Sequence, residues 1–256
     1  MDDRPTSPTK AELAAEWASI APAWIDRVGS AGDNVRANLL DEWMLDVVGD
    51  VTDIDVIDLG CGEGRFCRML GSLGARVLGV DLQPAFVEHA RAAGSPNERY
   101  LVDDMESLAG VDDDGFDLAV SYISLVDVAD LGAVARQARR VLHSDGRLVV
   151  CNLAPMTTAV HRIGWVRDEE RTKLHYPVDH YADEGVRSIP LAGGALVTNF
   201  HRMLSTTVNA FLDAGFSLRR LHEPVPDDDQ IRRLGDDDLR RVPGFVIYDL
   251  VACSPA

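Results

Sequence analysis

The sequence predicts an α/β protein built on a doubly wound sheet, and three observations carry that reading. Between residues 55 and 153, short β-branched runs alternate with helical stretches, the pattern of βαβ units and a parallel sheet. The runs are continuously apolar, as strands covered on both faces require. A glycine-spaced turn in "VIDLGCGEGRF", Val56 to Phe66, joins the first run to the first helix of the series.

Taken in order, residues 1–8 are acidic and Pro-rich and read as a disordered tail with no apolar stretch of a secretory signal. "TKAELAAEWASIAPAWIDRV" reads as a helix with Thr9 as N-cap and Glu12 completing a capping box, broken or kinked at Pro22. "NVRANLLDEWMLDVVG" reads as a second helix that stops near Gly49. The strands are "DVIDL", "ARVLGVD", "RYLVD", "FDLAVSY" and "GRLVVCNL", separated by helices in "GRFCRMLGSLG", "PAFVEHARAAG" and "DLGAVARQARRVL". Residues 154–200 interrupt the alternation with Trp165, His175, Tyr176, His180, Tyr181 and the Gly193-Gly194 pair, and a long irregular segment in a compact domain is usually a lid or binding loop. "LSTTVNAFLDAG" returns to helix, with Ser205 as N-cap and Gly215 as stop. "FSLRRLHE" and "GFVIYDLVAC" are two last strands, bringing the total to seven, and the acidic link between them is a solvated loop or short helix.

The 256 residues fit one large domain with an inserted lid, and a 46% hydrophobic content supplies a sizeable core. The expected division is an N-terminal helical lid over 1–48 and a main domain over 49–256 with a lid insertion at 154–203. The net charge of −17 repels a phosphate backbone and argues against nucleic-acid partners. No apolar run approaches the ~18 residues of a membrane span. Cys61, Cys67, Cys151 and Cys253 show neither C-x-x-C spacing nor a cluster with histidine, so reduced thiols, a cytoplasmic location and no metal are expected.

Gly60, Gly62 and Gly64 lie between strand and helix, where the backbone takes unusual angles and a ligand approaches closely. The unpaired N–H groups of the following helix suit a nucleotide-like ligand or a carboxylate. The dinucleotide fingerprint G-x-G-x-x-G demands a sixth-position glycine; Arg65 stands there. Asp58 precedes the first glycine by two, and Asp81 closes the next strand, where an acid can take both ribose hydroxyls.

"DLGCGEG" resembles motif I of the class I S-adenosylmethionine-dependent methyltransferases. "LGVDLQPAFVEHARA" is similar to their second motif and "YLVDDMESL" to the third. "FDLAVSYISLVDVADL" and "RRVLHSDGRLVVCNL" match the fourth and fifth, and "HRMLSTTVNAFLDAGFSLRRLHEP" looks like the C-terminal segment of small-molecule members, including relatives of the ubiquinone/menaquinone group. The resemblance spans roughly residues 35–252 and implies a Rossmann-like, seven-stranded sheet whose last strand is antiparallel. It implies S-adenosylmethionine as donor, S-adenosylhomocysteine as product, and methyl transfer to a small molecule, with an O- or N-acceptor favoured over carbon. The glycines, with Cys61 between them and Asp58 nearby, would hold the amino-acid end. Asp81 would take the ribose, with Leu82 beside it, and Asp104 and Met105 would flank the adenine, Asp103 competing with Asp104. Ser121, Trp24 and Arg36 complete the expected donor contacts, Arg36 at the carboxylate.

A sulfonium is favoured by an aromatic face, which makes Trp17, Trp24 and Tyr122 candidates, although Trp17 and Trp24, seven apart, fit a helix core face equally well. A base within hydrogen-bond reach could take the acceptor proton; His201 and Asp127 lead, with His175 and His180 in the lid segment. The resemblance excludes sub-classes. "SYIS" after the fourth strand lacks the prolines of amino-methylating DNA enzymes and the Pro-Cys of cytosine enzymes. Cys151-Asn152 ends the fifth strand without the acids of metal-dependent catechol enzymes, and the glutamate pair of protein-arginine enzymes is missing. Alternatives are a non-catalytic donor-binding subunit, a donor-dependent reaction other than methyl transfer, and an NAD-dependent oxidoreductase, against which Arg65 speaks. A monomer or homodimer is expected.

Overall fold

A computed structural model describes residues 8–29, 31–160, 164–190 and 196–253. Most of the tail expected over 1–8 and the Gly193-Gly194 pair lie outside the described residues. Helix α1 (Lys10–Val28) leads through a π-helical turn (Arg36–Leu40) into α2 (Asp41–Val48). The alternating series follows: β1 (Asp55–Leu59), α3 (Arg65–Ser72), β2 (Arg76–Asp81), α4 (Pro84–Ala93), β3 (Glu98–Val102), β4 (Phe116–Tyr122), α5 (Leu131–Val141) and β5 (Leu142–Leu153). After the short α6 (Pro155–Thr158) come two small antiparallel pairs, β6 (Val166–Arg167) with β7 (Lys173–His175), and β8 (Gly185–Pro190) with β9 (Leu196–His201). The chain ends with α7 (Leu204–Asp213), β10 (Phe216–His222), α8 (Asp228–Leu234), α9 (Asp238–Arg241) and β11 (Phe245–Ala252).

The seven-stranded sheet has the order β10-β11-β5-β4-β1-β2-β3. Pairs among β1 to β5 are parallel, and the last strand, β11, is antiparallel to both β5 and β10. Order reverses at β1, with β2 on one side and β4 on the other. In open sheets of this kind the crevice outside the strand carboxyl ends at that reversal is where ligands bind.

Successive strand side chains face opposite layers. Ile57 and Leu59 of β1 pack with α5 and α7, among Val134, Ala138 and Phe211. Val56 packs on the other side with α2 and α3, among Met44, Phe66 and Leu70. Each such fully buried aliphatic side chain stabilises the fold by about 1.5–3 kcal/mol. Asp58 shares the face of Val56, and its acid group is therefore carried into the layer beneath α3.

Four local expectations need correction. Pro22 does not end α1, which continues to Val28. Pro22 and Ala18, whose carbonyl loses its helical donor, are both exposed, so water can take that bond, while the capping box of Thr9 and Glu12 forms as read. Ser205 is not the N-cap of α7, which begins one residue earlier behind Met203. The stretch over 154–200 is not irregular throughout, since β9 and β8 pair across it. Strand β5 begins at Leu142, directly from α5, with Asp145 in left-handed conformation (φ 68°) before Gly146.

The N-terminal segment is fastened by a buried ion pair. Arg65 Nη1 donates to Asp41 Oδ1 at 2.9 Å, Nη2 pairs with Oδ2, and Nη2 also donates to the Ala31 carbonyl at 3.1 Å. Both residues are 9% exposed. Arg65→Met should lower stability by about 3 kcal/mol, because Asp41 is left buried without its counter-charge. Adding Asp41→Asn should recover much of that loss in urea titrations, and a double variant no more stable than the single one would refute the pairing.

Candidate active site

The carboxyl ends of β1, β2, β3 and β4 open into a cleft of about 1160 Å³, part of it open to solvent, roofed by α1. The turn after β1 is fixed to β2 before any ligand is considered. Gly60 and Cys61 donate their N–H groups to the Val80 carbonyl at 2.8 and 3.0 Å, and Gly62 N–H donates to Asp81 Oδ2 at 2.9 Å. Asp81 Oδ1 accepts from Gln83 N–H at 2.8 Å.

The three glycines serve different ends, although all have positive φ. A methyl on Gly60 would meet Ser124 Cβ at 2.4 Å, and one on Gly64 would meet Ala90 Cβ and Tyr100 at 2.8 Å. These two are glycines for packing. A methyl on Gly62 would meet nothing within 4 Å, and Gly62 is on the cleft wall.

Asp58, Gly60, Cys61, Gly62, Asp81, Leu82, Asp104, Met105, Trp24, Arg36, Tyr122 and Asp127 all line the cleft. Gly64, Ser121 and His201 do not. Ser121 is buried and hydrogen-bonds Ser124 Oγ at 2.6 Å, and Ser124, which also donates to the Leu59 carbonyl, takes the place at the cleft. His201 is wholly buried, with Thr158 Oγ1 2.7 Å from Nδ1 and the Tyr181 carbonyl 2.9 Å from Nε2. Burial lowers its pKa, and both ring nitrogens are occupied away from the cleft. His175 and His180 also lie outside it. Asp103 is spent on the backbone N–H groups of Asp104 and Gly110, which leaves Asp104 as the acid facing the cleft.

Tyr122 contributes its ring rather than its hydroxyl, which donates to Asp41 Oδ1 at 3.1 Å and is held protonated by burial. The Arg36 guanidinium lies 5.4 Å from that ring and 5.7 Å from the Trp24 ring. Arg36 also pairs with Asp33. It opens the π-helical turn, a distortion often found at functional sites. Trp17 and Trp24 stack edge-on at 5.7 Å, and both face the cleft instead of a core.

Lys10, Glu63, Arg65, Gln83 and Phe86 are also on the walls without having been singled out for them. Lys10 Nζ donates to Asp104 Oδ2 at 2.8 Å and pairs with Glu106 at 2.6 Å, and Gln83 Nε2 donates to the Ala14 carbonyl at 2.7 Å. These contacts tie α1 across the mouth. A lone lysine in a first helical turn gives no sequence signal of a partner 94 residues away. Arg65, by contrast, was visible as a breach of the dinucleotide pattern.

The comparisons with known proteins follow this geometry. Residues 57–150 match the model described as a methyltransferase domain. The chain is 31% identical over 183 residues to a ubiquinone biosynthesis O-methyltransferase of Xanthomonas oryzae pv. oryzae, covering 69% of this chain and 75% of that protein. An S-adenosylmethionine-dependent methyltransferase structure from Mesorhizobium loti superposes with a TM-score of 0.76 at 30% identity, over 87% of this chain and all of that one. The chain belongs to the class I S-adenosylmethionine-dependent methyltransferases. A similar structure from Listeria monocytogenes, a putative member, gives a TM-score of 0.73 at 27% identity, over 83% of this chain and 97% of that one.

The cleft of this methyltransferase fits an adenosyl sulfonium in three respects. Gly62 leaves open space beside the backbone. Asp58 Oδ1 is buried at the site without a partner among the described residues, while Oδ2 accepts from Cys67 Sγ at 3.2 Å. Every lining cation is already paired, which leaves the wall net acidic toward a cationic donor. Burial accordingly pushes Asp58 up to about 7 and Asp81 up to about 6. No group of three or more His, Cys, Asp or Glu among the described residues is placed to hold a metal ion, and no helix there is long and apolar enough to cross a membrane.

Gly62→Ala should cost only about 1–2 kcal/mol of stability, the left-handed penalty alone, yet weaken S-adenosylhomocysteine binding at least about tenfold. Gly64→Ala should destabilise more, because its methyl meets Ala90. Calorimetry and urea titration on both variants check this, and unchanged affinity in Gly62→Ala would count against close ligand approach there. Asp58 has a second consequence. Its folded-state value lies above the ordinary 3.8, so its contribution to stability is present below about pH 4 and is lost as pH rises toward about 7. Asp58→Asn should therefore gain stability relative to the parent across that window, and a difference flat with pH would contradict the buried carboxyl with one unsatisfied oxygen.

Proposed function

We propose that this methyltransferase acts on a small-molecule hydroxyl or amine held between the carboxyl edge of the sheet and a lid formed by residues 1–48 and 154–203. The observation that carries the reading is the covering of the cleft by α1, which crosses its mouth, so a small acceptor is admitted more readily than a macromolecular chain. The acidity of the protein points the same way against nucleic acids. The likeness to a ubiquinone biosynthesis O-methyltransferase favours an oxygen acceptor.

When bound, the donor supplies an electrophilic methyl group on a positively charged sulfur. The chain's part is to bind, align and exclude water. Asp81 would accept both ribose hydroxyls through lone pairs not used by Gly62 and Gln83. Gly60, Cys61 and Gly62 would border the amino-acid end with Asp58, and the free N–H groups of Arg36 would take its carboxylate. Asp104 and Met105 would flank the adenine, with Leu82 beside the ribose. Lys10 currently holds Asp104, so adenine would share or displace that contact. The Trp24 and Tyr122 rings lie where they favour a cation. Alignment at near-contact distance supplies much of the rate in such a displacement. Asp127 is the remaining acid at the acceptor end and serves as the proton acceptor in place of His201.

Two measurements test this. Asp81→Asn should bind S-adenosylhomocysteine about 10- to 100-fold more weakly, the value of a hydrogen bond to a charged group, while still unfolding cooperatively in urea. Transfer of a labelled methyl group to a panel of small phenols and amines should be detectable. Donor binding without turnover on that panel would instead favour a partner subunit.

A further inference from the structure

Two neighbouring residues of β9 bind two elements that border the cleft, α1 and the turn after β4. Thr198 binds Glu16 of α1 through its N–H and its Oγ1, both at 2.9 Å. Asn199 donates from Nδ2 to Asp127 Oδ1. Both are buried, at 7% and 4% exposure. Asp127 sits in the single 3-10 turn after β4 and lines the cleft. Its other oxygen, Oδ2, has no hydrogen-bond partner among the described residues, and the residue is only partly buried. The turn itself is clamped by Arg202, which donates to the carbonyls of Leu125, Val128 and Ala129.

We propose that Asn199 is a positioning residue that occupies one oxygen of Asp127 and leaves the other aimed at the acceptor, so that the site selects nucleophiles still carrying a proton, a hydroxyl or an amine, over carboxylates. This rests on the reading of the cleft as the methyl-transfer site. The proton of the acceptor O–H or N–H passes to Asp127 Oδ2, and the acceptor atom bonds the methyl carbon. The electron pair of the broken carbon–sulfur bond stays on sulfur, which leaves a neutral thioether. The proton later returns to solvent.

Charge supports the selection. Lys10 is paired with Asp104 and Glu106, and Arg65 with Asp41. Arg36 is paired with Asp33 and is assigned to the donor carboxylate. No lining cation among the described residues is left for a carboxylate acceptor. Burial pushes Asp127 up to about 8, against the Asn199 amide and Arg36, which favour the carboxylate; Asp81 and Glu16 add to the rise. Arg202 is the further cation bound to this turn. A base tuned to that range suits a phenol or an ammonium better than an ordinary carboxylate would.

The test uses the full chain with labelled aspartate Cγ, saturated with S-adenosylhomocysteine, and follows carboxyl resonances against pH; Asp127→Asn identifies the signal. Asn199→Ala should raise the Asp127 midpoint by about 0.5–1 pH unit, what an ordinary hydrogen bond is worth, with S-adenosylhomocysteine affinity changed by less than about twofold. A midpoint that stays put overturns the positioning role. If Asn199→Ala weakens S-adenosylhomocysteine binding, Asn199→Ser, which keeps a donor, must restore both affinity and midpoint, and its failure also overturns the role. Methyl transfer to a pooled set of phenols and amines should exceed transfer to matched carboxylates by at least about tenfold; transfer to carboxylates alone, or to neither set, overturns the selection. Failure of the parent protein to bind S-adenosylhomocysteine would instead remove the underlying reading.

Discussion

The site depends on one attachment, that of the turn after β1 to the end of β2. Two N–H groups of the turn converge on the Val80 carbonyl, and a third meets the Asp81 carboxylate. These bonds satisfy backbone donors that would otherwise be orphaned at a strand end. They also fix the Asp81 carboxylate and the glycine wall relative to each other, so neither can drift without the other. A parallel β1–β2 pair is required for this, since only then do both carboxyl ends emerge at one edge of the sheet.

Electrostatics follow from that placement. Asp58 is carried below the turn by strand alternation and Asp81 lies beside it, so burial raises both, with Asp81 and Glu63 adding to the rise at Asp58 and Glu63 to that at Asp81. The neighbouring cations do not relieve them, because each is engaged elsewhere. An acidic, partly closed cleft of this kind is poorly suited to anions and well suited to a sulfonium. The overall charge of −17 extends the same bias to the surroundings.

The covering elements are joined to the catalytic edge by side chains rather than by sheet pairing. Helix α1 reaches the sheet through Lys10 and Gln83 and reaches β9 through Glu16. Exposed ion pairs such as Lys10 with Asp104 contribute little to stability. The buried Arg65–Asp41 pair, by contrast, anchors the base of the same segment to α3.

Local pattern determined the sheet and half of the site. Beta-branched runs and glycine stops located β1 and β4 to the residue, and the strand-end positions of Asp58 and Asp81 followed, because the acids are adjacent in sequence to the elements that aim them. The capping box of α1 was legible for the same reason. Tertiary structure alone decided the rest. It turned His201 into Thr158 and the Tyr181 carbonyl, put Ser124 at the wall instead of Ser121, and gave the Tyr122 hydroxyl to Asp41. It also brought Asn199 to Asp127 across 72 residues and Lys10 to Asp104 across 94. Such pairings depend on which side chains the folded layers leave within a few ångströms of one another, and no periodicity along the chain encodes that distance.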